Sequence, residues 1–140
     1  MAKDIDTMIS QLLIQLNSDP NDITTAVQLG NLHFDKGDAP RAVLYYQHAL
    51  SLDEGQPDVR TDMGTMYWEN GNVSLAELAF RKVIDNFPEF GNAYLNLGLL
   101  LVRAKNQIQE GRDLWQELIN KFPTHSAVPR ARQLLMESYQ

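Results

Sequence analysis

The chain has 140 residues, 44% of them apolar, with 8 glycines, 6 prolines and no cysteine; 12 bases against 18 acids give a net charge of −6. This balance excludes a disordered, fibrous or low-complexity chain, and the lack of cysteine excludes a disulfide scaffold, a zinc-thiolate site and a thiol nucleophile. A chain of this size can bury roughly 68% of its extended surface, enough for one domain and too little for two, and its lack of thiols suits a reducing cytoplasm.

At the N-terminus, Asp4 and Asp6 follow the single base Lys3, and no small-residue cleavage site comes before the next helix, so the segment does not read as a secretory signal. The longest apolar run, Leu97 to Val102, is six residues, far short of the ~20 a membrane span needs. The expected location is the cytoplasm. Charge is uneven along the chain: residues 1–70 hold 11 acids and 4 bases, residues 71–140 hold 7 and 8. Such an acidic first half disfavours nucleic acid, whose phosphates are bound by Lys and Arg.

The first predicted helix, Ile5 to Asn17, leads to Pro20 and then to a repeat. Gly30, Gly64 and Gly98 are spaced by 34, each after Leu or Met, and His33, Tyr67 and Leu101 follow three residues later. Ala42 and Ala76 come twelve residues after the first two glycines, and the aromatics Tyr46 and Phe80 four residues further on. With one residue added in the third loop, Gly111 and Trp115 take those places, and Phe122-Pro123 matches Phe87-Pro88. Steps of 3, 1 and 3 in the first half of each unit and of 4 and 3 in the second place these residues on helical faces, and no segment shows strand alternation. Gly37-Asp38 and Gly71-Asn72 divide the halves, Gly as the left-handed stop and Asp or Asn as the next cap. Pro57 suits the first turn of a helix. The small residues predict close helix approach, with Gly30, Gly64 and Gly98 facing Ala42, Ala76 and Gly111 and the aromatics filling the space beside. A last helix is predicted over Ala127 to Ser138, more polar through Arg130, Arg132 and Gln133, for eight helices in an all-α chain.

This pattern resembles the tetratricopeptide repeat family over residues 23–125. The resemblance implies a right-handed α-solenoid of antiparallel hairpins forming a single domain: an N-terminal half-repeat helix in 1–22, repeats 23–56, 57–90 and 91–125, and a capping helix in 126–140. The consensus tryptophan at the fourth place is missing from every unit, and the closing proline is Glu54 in the first.

No phosphate-binding loop, serine elbow or His-Glu-x-x-His pair occurs. His33 stands where the repeat usually has Tyr and reads as a packed ring hydrogen-bonded at one nitrogen; no catalytic residue, metal site or cofactor is expected.

In this family the first helices line a concave groove. Carried over, the groove residues are Val27, Asn31 and Phe34; Asp58, Thr61, Thr65 and Trp68; and Asn92, Leu95 and Leu99, with Asp62 and Asn96 beside them. Asp35 and Glu69 join Asp58 and Asp62 as an acidic flank, Leu95 and Val102 are expected to be covered by neighbouring helices, and Trp68 is the expected anchor. The clamp that some members use for chaperone C-termini is missing: Asn31 matches, but Val27, Asn92 and Asn96 stand where cations or their partners belong. The expected role is a non-catalytic scaffold for a protein or peptide segment, apolar and in part basic, within a bacterial assembly or maturation complex. The alternatives are a self-assembling homo-oligomer and the soluble interaction domain of a longer membrane-anchored protein.

Overall fold

A computed structural model describes residues 4–139, and every helix in it follows from the repeat. In chain order these are α1 (Ile5–Ser18), α2 (Ile23–Asp35), α3 (Ala39–Leu52), α4 (Pro57–Glu69), α5 (Val73–Asn86), α6 (Gly91–Ala104), α7 (Ile108–Lys121) and α8 (Val128–Glu137). There is no strand among the described residues, and no helix in them is long and apolar enough to cross a membrane. The fold is an all-α helical repeat.

The 34-residue register holds to the residue in the second helices. α1, α3 and α5 are each 14 residues and start at 5, 39 and 73, and α7 is again 14 residues, displaced by 35. Asp4, Asp22 and Asp38 cap α1, α2 and α3, their carboxylates accepting the N–H groups of Thr7, Thr25 and Arg41, and Pro57 opens α4, where its missing N–H costs nothing. Between the two helices of the first and second repeats the chain turns through Gly37 at φ 74° and Gly71 at φ 81°. Asp38 N–H then closes on His33 O at 2.9 Å and Asn72 N–H on Tyr67 O at 2.8 Å, the ending that favours glycine. In the third repeat α6 runs one residue longer, the left-handed place passes to Asn106 at φ 54°, and Gln107 N–H closes on Leu101 O at 2.8 Å. The insertion is absorbed within the turn, and α7 keeps its phase.

The chain divides into two compact units, Met1–Asn72 and Val73–Gln140, so the division falls between the two helices of the second repeat. In the first unit Ala26, Ala42, Tyr46, Ala49, Val59, Met63 and Met66 form the core. In the second, Tyr94, Trp115, Leu118, Val128, Ala131 and Leu134 do so.

The glycines act differently from the expected meeting of small residues. A Cβ on Gly30 would lie 2.5 Å from Cδ1 of Tyr46, and one on Gly98 would lie 2.7 Å from Cδ1 of Trp115. Each glycine is therefore a notch for the aromatic ring of the following helix, and Trp115 uses the approach to donate its indole N–H to Leu95 O at 3.2 Å. Gly111 does face Gly98 as expected, since a Cβ there would come 2.7 Å from the Gly98 carbonyl oxygen.

Each histidine makes a contact within the fold. His33 is 5% exposed and stacks on Tyr45 with centroids 5.5 Å apart, but its Nδ1 makes no hydrogen bond; Asp38 Oδ2 is 3.7 Å away. Burial pushes the ring's pKa down, partly offset by Asp38. The hydrogen bond expected at one nitrogen is thus replaced, on the Nδ1 side, by stacking and a nearby carboxylate. Nε2 of His48 lies 2.6 Å from Pro20 O, and His125 Nδ1 accepts the Ala127 N–H at 3.0 Å. In the second unit Glu77 bridges Arg81 and Lys105, while Arg81 also reaches Glu110 at 2.8 Å.

Candidate functional site

In the first unit, α2 and α4 present their outward residues beside α3. Asn31 is exposed on α2, and its Oδ1 accepts the Tyr46 hydroxyl at 2.6 Å, so the buried ring of α3 ends at the surface in a polar pair. Asp35 follows one turn after Asn31, and Asp58 and Asp62 lie one turn apart on α4. The fields of Asp62, Asp35 and Asp58 all reach the Tyr46 hydroxyl and, after burial itself, hold its proton on well above the ordinary range. Asp62 is half-buried, and its carboxyl is pushed up to about 6, first by burial and then by Asp58. Among the described residues no Lys or Arg pairs with Asp35, Asp58 or Asp62. Three acids thus act on one hydroxyl without a paired cation, and a cationic group entering there would relieve the repulsion between Asp58 and Asp62.

Beside these acids, Phe34 and Val27 are half-buried against the first core, and Trp68 is half-buried near the end of α4. Thr65 is half-buried, its Oγ1 donating to Thr61 O at 3.4 Å. Thr61 departs from the groove expectation: it is 4% exposed and donates its hydroxyl to Pro57 O at 2.7 Å, one turn back in its own helix. Its place falls beside Gly64 on a second buried face of α4, opposite the stripe of Val59, Met63 and Met66.

The second unit offers less. Asn92 is exposed and Asn96 half-buried on α6, while Leu95, Leu99 and Val102 are half-buried and pack on the core around Trp115. Leu95 and Val102, expected to be covered, are thus covered only in part, as Leu99 is. Sequence reasoning did not single out Tyr46 as the focus of the acids; the available signal was a hydroxyl-bearing aromatic at a place where the other repeats have Phe80 and Trp115.

Comparison with known proteins bears on the fold. The family model described as tetratricopeptide repeat matches residues 23–56 and, in a second form, 61–124. The protein CTR9 homolog of Arabidopsis thaliana is 24% identical over 123 residues, which is 86% of this chain and 11% of that protein. The chain therefore spans about a tenth of that relative. Among solved structures, MamA is 22% identical with a TM-score of 0.86, covering 97% of this chain and 77% of that one. The first TPR of Spaghetti (RPAP3), bound to the HSP90 peptide SRMEEVD, is 18% identical with a TM-score of 0.74, covering 87% and 94%. The TPR2B domain of yeast Sti1, in complex with pHsp70, is 19% identical with a TM-score of 0.73, covering 84% and 96%.

Proposed function

The chain belongs to the tetratricopeptide repeat family, and from that premise we propose that it is a non-catalytic scaffold whose first unit binds a protein segment carrying a basic side chain next to apolar ones. The observation that carries this reading is the unpaired set Asp35, Asp58 and Asp62 around Tyr46 and Asn31, with Phe34 and Trp68 on the same two helices. A lysine or arginine meets the acids, and an apolar neighbour rests on Trp68. Val27 and Thr65 fill supporting places on the same two helices; Asn92, Leu95, Asn96 and Leu99, the remaining groove places carried over from the family, belong to the second unit. The setting we assign is a cytoplasmic assembly or maturation complex in bacteria, on the strength of the sequence's likeness to short bacterial members of the family.

Charge separates this reading from the chaperone-peptide mode of the structural neighbours. SRMEEVD has three acids and one base, the wrong sign for a site walled by Asp35, Asp58 and Asp62. We expect a fluorescent peptide with Arg or Lys beside Leu or Phe to bind by anisotropy, and SRMEEVD not to. Trp68→Ala should weaken capture about tenfold or more, as loss of an aromatic anchor does, with unchanged helical circular dichroism. Equal binding of both peptides, or unchanged capture by a folded Trp68→Ala, would refute the site.

A further inference from the structure

The turns inside the three repeats are built alike but differ in one pair of residues. Lys36-Gly37, Asn70-Gly71 and Lys105-Asn106 stand at corresponding places, and only the middle turn joins an asparagine to a glycine. No other asparagine in the chain is followed by glycine. Asparagine is among the thermolabile residues, because the main-chain nitrogen that follows it can attack its side-chain carbonyl. A glycine in that place has no Cβ to hinder the approach.

The geometry of the turn leaves this reaction open. Asn70 is exposed at the end of α4, and its side-chain amide makes no hydrogen bond among the described residues. Gly71 is exposed as well, and a Cβ built on it would meet nothing within 4 Å, so a ring has room to form there. In the closed turn Asn70 has ψ 8°, and Gly71 donates its N–H to Trp68 O at 2.9 Å. That bond must open before the Gly71 nitrogen can attack. Residues 69–72 are all exposed, so the turn opens without uncovering the core.

We propose that Asn70 is a site of spontaneous deamidation and that the reaction releases the end of α4. The Gly71 nitrogen attacks Cγ of Asn70 and gives up its proton; the new C–N bond forms, the Cγ–Nδ2 bond breaks and ammonia leaves, closing a succinimide. Water then opens the ring at either carbonyl to aspartate or isoaspartate, with no change of oxidation state. In isoaspartate the main chain runs through the former side chain and is one methylene longer. The spacing that lets Gly71 and Asn72 close on Trp68 O and Tyr67 O is then lost. Either product also adds a negative charge beside Glu69 at a helix C-terminus, where the dipole disfavours it. Trp68 lies two residues before Asn70, so the released end carries it.

Ageing the whole chain in mildly alkaline buffer, followed by peptide mapping in a mass spectrometer, tests this beside Asn70→Lys, which takes the residue of the first repeat. Conversion of Asn70 is expected to outpace that of every other asparagine about tenfold or more. Hydrogen exchange at the amides of residues 70–72 should rise about tenfold or more in the aged parent and stay slow in aged Asn70→Lys. Conversion of Asn70 no faster than elsewhere, conversion with exchange unchanged, or equal loosening of aged Asn70→Lys overturns the proposal. Peptide capture should fall with the setting of Trp68, a consequence that rests on the function proposed above and is read separately by anisotropy. Capture that survives the loosening would count against Trp68 as the anchor and leave the modification standing.

Discussion

Gly98→Ala is expected to destabilise the second unit by about 2 kcal/mol or more, although alanine is the better helix former by about 1 kcal/mol. The added methyl would enter the Trp115 indole, which is 1% exposed, packed on its other sides by the second core and anchored to Leu95 O. The ring has no free direction in which to yield, so either the α6–α7 pair opens or the indole hydrogen bond breaks. Thermal melting of Gly98→Ala, Trp115→Leu and the double variant makes a complete test. Shrinking the ring removes the clash, so the double variant should be more stable than the sum of the two losses predicts, by about 1 kcal/mol or more. Strict additivity would mean that glycine and ring do not meet.

Asp62→Asn should lower the affinity for a basic segment about tenfold or more, and it should remove the pH dependence of binding. Burial and Asp58 raise the Asp62 carboxyl to about 6, above its unfolded value of about 3.9. The folded state therefore favours the protonated acid. The cost to stability of keeping Asp62 ionised is absent below about pH 4 and is complete once pH has risen through about 6. At about pH 7.5 the asparagine variant should melt higher than the parent, and near pH 4 the two should melt alike. Binding moves the other way: the parent's affinity for a lysine or arginine peptide should fall as pH drops through about 6, while the variant's stays flat. A variant that is more stable and yet binds less well separates recognition from folding. Parallel pH profiles for parent and variant would remove Asp62 from the site.

Most of the helical framework was legible because its determinants are local. The period of 34, the cap at Asp38 and the stops at Gly37 and Gly71 act within a few residues of themselves, and the helices begin and end where those signals stand. The notches were not legible in the same way. Periodicity assigns Gly30 and Tyr46 to facing helices, but which of Ala42 and Tyr46 fills the space under the glycine depends on ring depth and rotamer, which spacing does not encode. Thr61 departs for a related reason: a family groove place was carried onto a helix that buries two faces, Val59, Met63 and Met66 on one and Thr61 beside Gly64 on the other. The acids were visible as composition. That three of them act on one hydroxyl required the packing of α2, α3 and α4 within the first unit.

The chain's two tryptophans fall one in each compact unit, in opposite surroundings: Trp68 half-buried at the end of α4, Trp115 enclosed with its indole N–H bonded. They amount to two built-in optical probes. Emission from Trp115 should be blue-shifted and shielded from iodide, and that from Trp68 red-shifted and quenched. Two single-tryptophan variants, Trp68→Phe and Trp115→Phe, would then report the unfolding of each half without any label. Coincident denaturation curves would mean that the halves melt as one cooperative body, whereas separated midpoints would assign each half its own stability.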